Sequence, residues 1–203
     1  MMSTRLYTFV LLLTAWLVAA PAVSARQADE SKAIRTMLKS REGAIKKILG
    51  TSSNLSDAQM TALRTAVNDM FDFGAMGQAA LGRHWNELNA QQRTRFVDTF
   101  AGIVRHQSLA DVDIYRAKVV YEAVTVTGND ARVVTTTTYK DVPTKVVYTL
   151  RRTGSQWRAT DVILDDVSTV DGYSRSFQSY IRKRGFDALM ENLTKRLEST
   201  REG

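Results

Sequence analysis

Apolar residues along this chain repeat first at helical spacing, then every second residue, then at helical spacing again. Ile34, Leu38, Ile45, Ile48 and Leu49 share one side of a helix. Gly50-Thr51-Ser52-Ser53-Asn54 stops it. Ser56-x-x-Gln59 is a capping box and opens a second helix, which runs through Leu63 and Val67 to about Met70. Asn89-x-x-Gln92 starts another, with Phe96, Phe100, Ile103 and Val104 on its apolar side, fading near Ala110. Between the two lies a block of aromatic and flexible apolar residues, Phe71-Asp72-Phe73-Gly74-Ala75-Met76 and Leu81 to Trp85.

From Ala117 the texture changes. Residues 117–127 and 131–139 are rich in Val, Thr and Tyr, and Gly128-Asn129-Asp130 separates them as a hairpin turn would. Asp141-Val142-Pro143 reads as the next turn. Residues 145–151 and 156–164 form a second hairpin around Thr153-Gly154-Ser155. The simplest count is four antiparallel strands. After Ser168 the helical period returns with Val170, Tyr173, Phe177 and Ile181. Gly185 is a helix stop, and a last helix carries Leu189 and Leu193. Helices flanking one antiparallel sheet predict an α+β domain. No repeat or linker divides it.

The N-terminus reads as a secretory signal: Arg5, an apolar run from Leu6 to Ala20, then small residues with Val23-x-Ala25 as the cleavage site. The run falls short of the ~20 apolar residues a spanning helix needs. The expected division is a signal peptide at 1–25 and one soluble, exported domain at 26–203. The chain has no cysteine, so it folds on its core without disulfides, which suits a bacterial periplasm.

The formal charge is +7, dispersed over Lys46-Lys47, Arg151-Arg152, Arg182-Lys183-Arg184 and Lys195-Arg196. Export makes nucleic acid a poor partner. Anionic lipid surfaces and acidic proteins fit better. Chemistry is scarce. Two histidines, His84 and His106, are too few for a metal site without cysteine, and His84 reads as a surface or helix-end residue. No Gly-x-Ser-x-Gly occurs, and Gly74-x-x-Gly77 lacks the lysine of a phosphate loop, so it reads as a close helix contact. Asp72 and Asp161 are the candidate acids for an isomerase, with Asp165 and Asp166 close by, but no spacing links them to a nucleophile or base. No enzyme activity, cofactor or metal is expected.

The aromatic block, Leu81-Gly82-Arg83-His84-Trp85, Arg93-Thr94-Arg95-Phe96-Val97, Trp157, Asp161-Val162, Val167-Ser168, Tyr173, Phe177 and Gly185-Phe186-Asp187-Ala188-Leu189 closely resemble the MlaC family. These are the toluene-tolerance auxiliary proteins, periplasmic phospholipid carriers. The resemblance covers most of the chain after Met60. It implies an NTF2-like cone, with helices packed on one curved antiparallel sheet around an apolar cavity. It implies a phospholipid ligand, shuttled between outer and inner membrane to maintain lipid asymmetry. The implied partners are an inner-membrane ABC lipid transporter complex and an outer-membrane lipoprotein complex. The same family could instead carry a hopanoid or another lipid, and a periplasmic chaperone or a small isomerase would also suit an exported α+β domain. Expected lipid-binding residues from helices and loops are Phe71, Phe73, Met76, Leu81, Trp85, Phe96, Phe100, Tyr115, Tyr173 and Phe177. Those from strands are Tyr121, Val146, Tyr148, Val162 and Leu164.

Overall fold

A computed structural model describes residues 20–52 and 54–202, with side chains at 25–52 and 54–200. The n-region and nearly all of the apolar run of the predicted signal lie outside the described residues. Helix α1 spans Ala20–Leu49 and ends at Gly50, whose φ of +55° a residue with a Cβ rarely adopts. Helix α2 spans Asp57–Asn68, and its capping box is formed as the sequence predicts: the Ser56 hydroxyl accepts from the Gln59 N–H while the Gln59 amide oxygen accepts from the Ser56 N–H. Helix α3 (Phe73–Leu81) continues into a 3-10 segment at Gly82–Glu87. Helix α4 (Ala90–Ser108) opens on the Asn89/Gln92 capping box, and a short 3-10 segment follows at Val112–Arg116.

Then come β1 (Lys118–Thr127), β2 (Asp130–Tyr139), β3 (Val142–Thr153), β4 (Gln156–Leu164) and β5 (Val167–Ser168). They form one antiparallel sheet in sequence order, unclosed, bent by register shifts at Tyr121/Ala123 and Thr149/Leu150. Helices α5 (Thr169–Arg184) and α6 (Phe186–Glu202) complete the chain, divided at Gly185, whose φ is +83°.

The count of four strands and one of its turns are corrected. Both β2–β3 and β4–β5 are joined by two-residue turns in the left-handed region: Lys140 (φ 49°) with Asp141 (φ 62°), and Asp165 (φ 44°) with Asp166 (φ 66°). Such turns match the twist of a hairpin. Val142 and Pro143 therefore belong to β3, paired with Tyr139 and Thr138, where the missing proline N–H falls in the strand's first residues. The fifth strand is two residues long, too short to leave a period in the sequence.

Three apolar clusters hold these layers together. Helices α3–α6 enclose Phe96 and Phe100, stacked at 5.7 Å, with Phe177 edge-on to both at 5.9 and 6.1 Å. Gly77 belongs to this packing, since a Cβ there would lie 3.1 Å from the Phe96 ring; at Gly74 the only close neighbour is the Asp72 side chain. Ile34 and Leu38 of α1 pack on Val126, Ala131, Val133, Leu150 and Trp157 of the sheet. The end of α1 packs on α2 through Ile45, Leu49, Leu63 and Val67. Phe71 touches all three clusters. Its segment is tied to β4 by two backbone bonds, Asp72 N–H to the Ala159 carbonyl (2.9 Å) and Ala159 N–H to the Met70 carbonyl (2.7 Å).

Candidate functional site: a half-open apolar cavity

Strand register decides which side chains face the helices. Tyr121, Thr135, Val146 and Leu164 lie opposite one another in one row across the sheet, and Val124, Val133, Tyr148 and Val162 in the next. Residues directly opposite point to the same face, and successive same-face rows are about 7 Å apart. Where this face meets α1 and α4 the layers do not close. They leave a half-open cavity of about 520 Å³, within the range of small-ligand sites.

Its wall comes from every neighbouring element. Helix α1 contributes Leu38, Glu42 and Ile45; the α2–α3 junction contributes Met70, Phe71 and Met76. Val104, Gln107 and Ser108 come from α4, and Ala110, Asp111, Ile114 and Tyr115 from the segment after it. The sheet supplies Val119, Tyr121, Thr137, Val146, Tyr148, Val162 and Leu164, and α5 supplies Thr169. Leu164 and Ile114 are about half exposed and mark the mouth. Among the described residues no lysine or arginine lines the cavity.

The polar lining groups are mostly bound to the protein. The Tyr115 hydroxyl donates to the Ser108 carbonyl (2.8 Å). The Tyr121 hydroxyl donates to Glu42 Oε2 (3.1 Å), and Lys46 Nζ donates to Glu42 Oε1 (2.7 Å). The Tyr148 hydroxyl has no hydrogen-bond partner among the described residues. Burial, then the negative charge of Glu42, pushes the Tyr148 phenol up to about 12. Burial and the neighbouring Tyr148 do the same to Tyr115, also to about 12. Burial and Glu42 raise Tyr121 further still. All three are neutral hydroxyls at ordinary pH.

The fifteen side chains expected from the sequence divide in two. Phe71, Met76, Tyr115, Tyr121, Val146, Tyr148, Val162 and Leu164 line the cavity. Phe73, Leu81, Phe96, Phe100 and Phe177 do not reach it, because they lie on helix faces turned toward one another and fill the helical core. Trp85 and Tyr173 pack against that core's outside. Arg93 covers the Trp85 ring at 5.2 Å, and the Tyr173 hydroxyl bonds to Gln107. Leu38, Glu42 and Ile45 were not among the expected residues. Their spacing of four and three puts them on one helix face, and a carboxylate on an otherwise apolar face was the available signal.

The acids considered for catalysis have structural work. Asp72 caps α3, accepting from the Ala75 N–H at 2.9 Å. Asp161 ties β4 to α5: Oδ1 accepts from the Val162 and Val170 N–H groups (2.9 and 3.0 Å) and Oδ2 from the Ser168 hydroxyl (2.6 Å). Asp165 and Asp166 form the β4–β5 turn and bind Lys145. His84 is not a surface residue. It is buried at the helical core with Nδ1 2.8 Å from Glu87 Oε2, because the 3-10 turn directs it inward. Among the described residues no three metal-ligating side chains cluster, and no helix is long and apolar enough to cross a membrane.

An open antiparallel sheet with helices on one face and a half-open apolar cavity between them defines an α+β domain with a pocket between its layers. This chain belongs to the MlaC family: the family's sequence pattern, described as MlaC protein, matches residues 41–195. Among solved structures, a phospholipid-binding protein from Ralstonia solanacearum in complex with a phospholipid superposes with a TM-score of 0.63. It is 18% identical, and the alignment covers 88% of this chain and 97% of that one, so the likeness is one of fold. No curated protein matches the chain.

Proposed function

We propose that this protein is a periplasmic carrier that takes phospholipid into the cavity and moves it between the outer and inner membranes, and that it is not an enzyme. The observation that carries the reading is the half-open cavity walled by Phe71, Met76, Ile45, Val146, Val162 and Leu164. Family membership and a fold like that of a phospholipid-binding protein support it. The physical need is plain. Acyl chains in water cost about 0.8 kcal/mol per methylene, so two chains of some thirty methylenes cost on the order of 20 kcal/mol. A carrier removes that barrier by covering the tails, with no bond made or broken. Under this reading residues 1–25 are a signal peptide and 26–203 a single lipid-binding domain. An inner-membrane ABC lipid transporter complex and an outer-membrane lipoprotein complex are the donor and acceptor.

The test is extraction of lipid from protein purified from the periplasm. Phospholipid near one per chain is the expected result. Val162→Glu and Tyr148→Glu place an unpaired carboxylate on the cavity wall, where its burial is costly. The variants should keep their circular dichroism and lose the lipid. Folded variants that carry lipid at wild-type stoichiometry would move the site elsewhere. Wild-type protein that neither carries nor takes up lipid would end the carrier reading.

A further inference from the structure

The lipid reading accounts for the apolar wall of the cavity and leaves its polar spot unexplained. Glu42 sits on the cavity face of α1 between Leu38 and Ile45. Each of its carboxylate oxygens accepts one bond, from Lys46 or from Tyr121, and each retains a second lone pair. Tyr148 lies one row inward of the Val146–Leu164 pair at the mouth, about 7 Å deeper. Its side chain lines the cavity, and its hydroxyl meets no protein acceptor among the described residues. Tyr121 bonds to Glu42 and packs on the same apolar cluster as Tyr148, and with Tyr115 all four line one cavity, so they form one neighbourhood.

A plain methylene chain laid against this neighbourhood leaves the Tyr148 donor unpaired and one lone pair on each Glu42 oxygen unused. A phosphate or carboxylate group is served no better, because Lys46 is already paired with Glu42 and, among the described residues, no lysine or arginine lines the cavity. An alcohol entering the cavity can accept from Tyr148 and donate to Glu42, both of which line it. We infer that the inner wall is a subsite for an uncharged hydroxyl, with the Tyr148 hydroxyl as donor and the Glu42 carboxylate as acceptor. The lipid it favours bears a hydroxyl on the hydrocarbon that enters the cavity. This inference rests on the carrier reading and specifies its cargo.

Four acids test it on the full mature protein: palmitate, 16-hydroxypalmitate, stearate and 12-hydroxystearate, each titrated by calorimetry after lipid extraction. At least one hydroxylated acid should bind about tenfold more tightly than its plain counterpart, the factor one net buried hydrogen bond supplies. Tyr148→Phe and Glu42→Gln should each bring that ratio, read within each variant, close to one. A wild-type ratio at or below one for both pairs overturns the subsite and leaves the carrier reading standing. So does a preference that survives in both variants. If none of the four acids and no phospholipid binds, the carrier reading falls and the subsite with it.

Discussion

The half-buried tyrosines of the cavity carry a stability signature that can be read without any ligand. Tyr115 and Tyr148 hold their protons up to about pH 12, whereas an ordinary phenol releases its proton near 10. The folded state therefore keeps protons that the unfolded chain has already lost. That stabilisation is whole below pH 10 and fades as the pH rises toward 12. The melting temperature should fall steeply across this window, and less steeply in Tyr148→Phe, as thermal unfolding at a series of pH values would show. A slope unchanged by the substitution would mean Tyr148 is solvated. At this scale the sequence was a partial guide. It marks which residues are apolar but not which way an apolar helix face turns. Phe96 and Phe100 look as suitable for a lipid as Phe71, and only the packing of α3–α6 assigns them to a filled core. Glu42 was hidden for the opposite reason: a charged residue on a helix is usually solvated.

Elements were legible where a local chemical rule applies. Both capping boxes formed as written, at Ser56/Gln59 and Asn89/Gln92. The two left-handed turns were not, because neither carries the glycine that usually marks one. Removing a cap tests how much these signals contribute. Asn89→Ala should lower the free energy of unfolding by about 1 kcal/mol in denaturant titrations, with the fold intact. Asp161→Ala should cost more, about 2 kcal/mol, because three donors, one each from β4, β5 and α5, lose their acceptor together. The larger loss should come with weaker lipid retention, since Val162 and Thr169 line the cavity on either side of that junction.

For the whole molecule, the α+β class and the order helices, strands, helices followed from periodicity alone. The cavity did not, because a void between layers leaves no mark in the spacing of apolar residues. The excess of positive charge bears on encounter. Docking steered by charge weakens with salt. Association with the proposed transporter and lipoprotein partners should therefore weaken between ~0.05 and ~0.5 M salt, where the screening length shortens severalfold. Affinity flat across that range, measured by surface plasmon resonance, would assign the contact to apolar surface at the mouth. Processing is tested separately: protein recovered from the periplasm should begin at Arg26.

The backbone strap from Met70 to Asp72 has a consequence for behaviour at high concentration. An unpaired outer strand is a template on which another chain can add, and so a route to aggregates. The strap and β5 occupy the outer side of β4 along different stretches, and α1 packs over β1 at the other margin of the sheet. The outer edge of β4 is thus partly covered by backbone, and that of β1 is met by the Arg35 side chain at the Tyr121 carbonyl. The large apolar side chains that stay exposed lie both at the mouth, Ile114 and Leu164, and away from it, Val120, Val142 and Val167.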